Sequence, residues 1–202
     1  MIYPDFFDEV PRISLHDPLA EFLGATQGGI LQYGYVDAVR LAGHSCPTVA
    51  SAYWSTCKAL AFLYPDTLPV RGAIRVEFRQ DSSSGVTGVI ANVVSMLTGA
   101  TLDTGFKGLA GQFDRRRLLF FAVDMPGELR FTRLGTGQAV YAAANLQHVP
   151  GSPRISELMA SCLDQTATPA EIAEFQALWQ ERVRRILLDY GNDPQVFALA
   201  PV

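Results

Sequence analysis

Apolar residues recur along this chain with two periods, and the alternation between them marks out its elements. Val49, Tyr53, Cys57, Leu60 and Tyr64 fall at i, i+4, i+8, i+11 and i+15, which is one stripe of a helix. Pro47 has a preset φ and no N–H to donate, so it suits the first helical position. That makes Cys46 the N-cap and sets the helix from Pro47 to about Tyr64. Ala73-Ile74-Arg75-Val76-Glu77-Phe78-Arg79 changes to the period of two expected of a strand, with Arg75, Glu77 and Arg79 together on one face. A solvated or cross-paired charged face is expected there. A second internal helix starts from Ser82-Ser83-Ser84 as cap and carries Val86, Val89, Ile90, Val93, Val94 and Leu97 at helical spacing. Thr98-Gly99-Ala100-Thr101 ends it. Asn92 lies in this apolar helix, where its amide needs a partner in backbone, water or ligand.

The remaining segments read more briefly. Residues 1–14 form an arm with scattered aromatics, and Asp17-Pro18 opens a short helix, Leu19 to Leu23, closed by Gly24. Residues 28–42 mix glycine with aromatic and β-branched residues, so part of this stretch is expected as strand. Gln112-Phe113 and Leu118–Val123 read as two strands joined by the charged turn Asp114-Arg115-Arg116-Arg117, whose arginines are expected to keep the turn solvated. Further strands are expected at Glu128–Arg133 and Gln138–Ala143. Beyond Asn145 come a loop containing His148 and a helix from Ile155 to Cys162. Thr168-Pro169-Ala170-Glu171 then combines an N-cap threonine, proline at the first position and glutamate at the third, which starts a long helix. Its stripe of Ile172, Phe175, Leu178, Trp179, Val183, Ile186, Leu187 and Tyr190 must be buried against the core or a second copy of the chain.

Composition narrows the class. At 202 residues, 49% hydrophobic and 18% charged, the chain is long enough for one substantial domain. A formal net charge of −4 argues against a general nucleic-acid binder. No apolar run reaches the roughly 18 residues of a membrane span. The N-terminus lacks the pattern of a signal peptide, so a cytoplasmic protein is expected. Three cysteines without a C-x-x-C pair do not make a disulfide framework or a closed cysteine-rich zinc finger.

The chemistry-bearing segment is Gly43-His44-Ser45-Cys46-Pro47. A cysteine at a helix N-terminus faces unpaired N–H groups and the positive end of the dipole, which favour thiolate. His44 lies two residues away, and imidazole with thiolate suits zinc or another divalent transition metal. Cys57 shares a face with Cys46 but lies eleven residues along the helix, roughly 16 Å at 1.5 Å per residue, and is assigned to the core. Cys162 is expected to pack. His16, beside the cap of the first helix, is a further candidate ligand. In Gly105-Phe106-Lys107-Gly108-Leu109-Ala110-Gly111, Lys107 is a candidate for neutralising an anionic substrate, with a plain surface lysine as the alternative.

Gly43-His44-Ser45-Cys46-Pro47, read with Thr98-Gly99-Ala100-Thr101 and the glycine-rich passage after it, resembles the FmdE family, named for a component of formylmethanofuran dehydrogenase, over roughly residues 15–125. The resemblance implies an α+β fold in which a mixed, largely antiparallel sheet packs against helices. Residues 1–145 would form this core, and residues 146–202 a C-terminal helical extension packed on it. It also implies a homodimer and a metal, often zinc, with His44 and Cys46 as ligands. The chain differs from many relatives in having Ala42 and Thr48 around the motif, and Val89 and Asn92 where a cysteine and an aspartate are often found.

Three functions follow as expectations. The first is a metal-binding protein whose open His44/Cys46 site lies beside a pocket formed with Gly105–Gly111, where Lys107, and Asn92 near it, contact a small-molecule substrate. The second is a non-catalytic accessory or assembly subunit of a redox complex. The third is nucleophilic catalysis by Cys46 with His44 as base.

Overall fold

The computed structural model describes residues 2–202. Its centre is α3 (Pro47–Leu63). Cys46 caps this helix, its sulfur accepting the Val49 N–H at 3.4 Å, and the helix stops at Tyr64, just before Pro65. The apolar stripe is only part of its buried surface. Ala50, Ser51, Ala52, Ser55, Thr56, Ala59 and Leu63 are buried as well, so the helix is enclosed on several sides and its small residues let neighbours approach. Two buried hydroxyls are satisfied within the helix: Thr56 donates to the Ala52 carbonyl at 2.7 Å and Ser51 to that of Thr48 at 3.1 Å.

On one side of α3 lies a five-stranded sheet of β3 (Ile74–Phe78), β4 (Leu119–Phe120), β5 (Leu129–Arg133), β6 (Ala139–Ala144) and β7 (Phe197–Pro201). Its order is β4-β3-β5-β6-β7, and the β3–β4 pair alone is parallel. Leu60, Leu63, Ile74, Val76, Phe131 and Val140 form the core between α3 and the sheet. On the other side, α2 (Tyr35–Ala42), α4 (Thr87–Thr98) and the C-terminal helices enclose a second core around Tyr35, Tyr53, Val93, Leu97, Val183 and Ile186. The expected α+β architecture, a largely antiparallel mixed sheet against helices, is observed. No helix among the described residues is long and apolar enough to cross a membrane.

The sequence expectation is met in some elements and not in others. The stretch expected partly as strand gives β2 (Ile30–Tyr33), which pairs with β1 (Ile13–His16), and then turns into α2. There Asp37 accepts the Gly34 N–H at 2.8 Å, and Gly43 ends the helix in the left-handed region at φ 77°. The serine cap does not form. Ser83 instead directs both its N–H and its hydroxyl to Asp81, and α4 starts at Thr87. Of the hairpin expected across residues 112–123, only the two-residue β4 is made. The C-terminal helices α5 (Ile155–Leu163) and α6 (Pro169–Arg184) form, and the Thr168–Glu171 capping box is present. After a π-helical turn, Arg185–Asp189, the chain adds β7 to the sheet edge, a strand that the sequence pattern does not predict.

Candidate functional site

The strongest concentration of chemistry lies around Asp17, the N-cap of α1 (Pro18–Phe22). Its Oδ1 accepts the N–H groups of Leu19 and Ala20 at 3.0 and 3.2 Å. The same oxygen accepts Arg115 Nη2 at 2.6 Å, and Oδ2 accepts Arg71 Nη1 at 2.5 Å. Asp17 is 3% exposed. Burial by itself pushes its carboxyl up, but the Ala20 N–H and the Arg115 and Arg71 guanidiniums outweigh this and hold it below the usual carboxylate range. One buried carboxylate and two guanidiniums leave this cluster with a net charge of +1.

The two arginines are used differently. Arg71 gives Nε to the Leu97 carbonyl at 3.2 Å and Nη2 to that of Met96 at 2.9 Å, and it stacks on Tyr33. It closes the carbonyl end of α4, where a cation is favoured by the helix dipole. Arg115 is 7% exposed, and its side chain donates only to Asp17 among the described residues, leaving Nε and Nη1 without a protein acceptor. The backbone is shaped to admit it. Gly72 and Gly99 both have positive φ, and a Cβ on Gly72 would meet the Arg115 Nε at 2.7 Å, while one on Gly99 would strike Nη1. Thr101 fixes the Arg115 backbone by donating both N–H and hydroxyl to its carbonyl, at 3.0 and 2.6 Å.

These groups line a cavity of about 500 Å³, which also includes Tyr33, Asn92, Met96 and Phe106. That is a typical size for a small-molecule site. The Asn92 amide makes no hydrogen bond with a described residue, so both its donor and its acceptor are available at the wall. The chain from residue 101 to 118 lies over this region in an irregular path. Four of the five non-glycine residues with positive φ among the described residues, Ala110, Phe113, Arg117 and Ala122, fall on or just after it. Such conformations cost free energy and persist where surrounding contacts impose them.

The structure distributes the sequence candidates unevenly. Asn92 reaches the cavity. Lys107 is exposed and outside the lining, to which its neighbour Phe106 contributes instead. The expectation that the arginines of residues 114–117 stay solvated is corrected for Arg115, which turns inward to Asp17. His16 is next to Asp17 in sequence, but its Nε2 is 2.8 Å from Glu21 and its ring does not line the cavity.

His44 is exposed just beyond α2, with Nδ1 3.0 Å from the Ala42 carbonyl. Cys46 is half-buried at its cap, and no hydrogen bond joins the two. Between them Ser45 is the most connected residue of the motif. Its hydroxyl is 2.9 Å from the Tyr35 hydroxyl and donates to Gln180 Oε1 at 2.9 Å, while its carbonyl accepts Trp179 Nε1 at 3.0 Å. The segment therefore ties α2 and α3 to α6. Among the described residues, no three His, Cys, Asp or Glu side chains come together as a set able to hold a metal ion. Cys57 packs beside Tyr53, and burial pushes its thiol up to about 12, as suits a core residue.

The sequence pattern does not single out Asp17, Arg71 and Arg115 as site residues. Their separations of 54 and 98 positions leave no local signature, and the one available signal is the adjacency of Arg71 and Thr98–Thr101 to glycines. No family model matches this chain, and no curated protein matches it significantly.

Proposed function

We propose that this protein binds a small molecule bearing a single anionic group, such as a carboxylate, in the Asp17–Arg71–Arg115 pocket. The observation that carries this reading is Arg115: a buried guanidinium, neutralised on one side by Asp17, that keeps unused donors beside a 500 Å³ cavity. A guanidinium whose spare N–H groups are accessible can take up an anion without first breaking a protein hydrogen bond, and a carboxylate is its geometric complement. The net charge of +1 favours a monoanion over a dianion. Tyr33, Met96 and Phe106 provide apolar wall for the rest of the ligand, and Asn92 a neutral hydrogen-bonding group.

Gly99 and Thr101 of the Thr-Gly-x-Thr turn contribute to the lining. We also place the protein in the cytoplasm, a reducing compartment that suits three unpaired cysteines. The test uses benzoate and its neutral counterpart benzamide, titrated calorimetrically. Benzoate is expected to bind at least tenfold more tightly, and Arg115→Lys to remove that preference. Equal binding of the two probes, or a preference unchanged in Arg115→Lys, contradicts the reading.

A second reading keeps the metal. The His44 Nδ1 contact with the Ala42 carbonyl favours the tautomer with its proton on Nδ1, which leaves Nε2 as a free ligand atom. His44 and Cys46 would then supply two donors to zinc or another divalent transition metal, completed by water, substrate or a second copy of the chain in a homodimer. Stoichiometric metal in purified protein, lost in His44→Ala, supports it; metal content unaffected by replacing both His44 and Cys46 contradicts it.

A further inference from the structure

A second cavity, of about 580 Å³, opens between β1, α3 and β7 and shares no lining residue with the Arg115 pocket. Its walls are mainly apolar, with Trp54, Phe62, Ile13 and Leu199 the larger contributors. Two cationic residues, Lys58 and Arg12, line it, and no acidic residue does. Arg12 has a distant, exposed pairing with Asp8 at 3.8 Å. Lys58 Nζ donates to two neutral acceptors, the Gly191 carbonyl at 3.0 Å and Asn192 Oδ1 at 3.4 Å. Those contacts fix the ammonium in the lining without neutralising its charge, and one of its three donors is left over.

We propose that this groove binds an amphiphilic monocarboxylate, a medium- or long-chain acid, with its chain along Trp54, Phe62 and Leu199 and its carboxylate at Lys58. An apolar wall rewards a chain in proportion to the area it buries. A cation without an acidic partner in that lining selects an anionic head over a neutral or cationic one. Cys57, also in the lining, does not compete for this charge, because desolvation pushes its thiol up to about 12 and keeps it protonated at neutral pH.

The test is a titration of decanoate followed by tryptophan emission in a Trp179→Phe background, which leaves Trp54 as the only indole. Decanoate is expected to give a saturable change, with 1-decanol and decylamine binding at least tenfold more weakly. Shortening the chain to octanoate weakens binding by up to about fourfold per methylene. Lys58→Met, which keeps an apolar stem, is expected to abolish the preference for decanoate over decanol while leaving decanol binding in place. Leu41→Glu, at the exposed rim of the other pocket, leaves decanoate binding unchanged. Absence of a saturable response, equal binding of decanoate and decanol in the unsubstituted groove, or loss of decanoate binding in Leu41→Glu each overturns the proposal.

Discussion

Two clusters in this fold have the same composition, one buried carboxylate between two arginines, yet they are not equivalent. On the sheet, Glu77 of β3 accepts Arg130 Nε and Nη2 at 2.6 and 2.7 Å as a fork, and Arg75 Nη2 at 2.6 Å, while Arg75 also lies over Phe120. These donors meet a carboxylate fixed in the same β-ladder, where Glu77 is opposite Arg130. Around Asp17, Arg71 gives all three nitrogens to protein acceptors, but Arg115, in the wall of a cavity, spends one nitrogen on Asp17 and leaves Nε and Nη1 without a protein acceptor. A buried charge cluster by itself is therefore weak evidence of function. Unspent donors next to a ligand-sized space distinguish the second cluster from the first.

The largest expected effect is on stability. Asp17→Asn leaves the buried Arg115 guanidinium without a charged partner and is expected to cost about 3–5 kcal/mol in urea unfolding. Glu77→Gln leaves Arg130 and the exposed Arg75, which water can solvate, and is expected to cost less, about 1–3 kcal/mol. The next effect concerns binding. Arg115→Lys keeps the charge but loses the planar fork, so benzoate affinity is expected to fall at least tenfold, whereas Arg130→Lys leaves it unchanged.

Acid provides a third comparison. Burial acts to raise both carboxyls, but Asp17 is held below its ordinary value of 3.8 by the Ala20 N–H and both arginines, and Glu77 below 4.5 by Arg130 and Arg75. Each carboxylate therefore contributes stability that is complete above its ordinary value and is lost as pH falls through its depressed native value. The melting temperature should hold steady above about pH 5 and fall below about pH 4. Asp17→Asn should flatten part of that acid limb, and an unchanged limb would show that Asp17 does not carry it. The smallest effect concerns the motif: Ser45→Ala removes hydrogen bonds to Tyr35 and Gln180 and is expected to cost about 1 kcal/mol without altering benzoate binding.

The same contrast explains what is legible in the sequence. Arg75 and Glu77 lie two residues apart on an alternating strand, so their shared face can be read directly, and Glu77 is cross-paired, one of the two outcomes expected there. The Cys46–Pro47 helix start, the Thr168 capping box and the Gly99 helix end are local signals that the structure repeats. Asp17, Arg71 and Arg115 come from three distant segments, and only the fold brings them together. Arg115 is hidden further by its setting among Asp114, Arg116 and Arg117, which resembles a solvated turn. Asn92 stands out because an amide in an apolar helix needs an explanation. Lys107 lies one residue from the lining, which Phe106 supplies. β7 escapes the sequence pattern because five residues ending at Pro201 carry little periodicity, although a proline suits an edge strand.

On this account Arg115 is held ready for an anion, while Arg130 commits Nε and Nη2 to the Glu77 fork. Side-chain Nε–H resonances, assigned through Arg115→Lys and Arg130→Lys and followed while benzoate is titrated, test it most directly. The expected result is a saturable shift of the Arg115 signal with the same midpoint as the calorimetric titration, and a stationary Arg130 signal. An Arg115 signal that stays in place while benzoate binds, or equal movement of both signals, would contradict it.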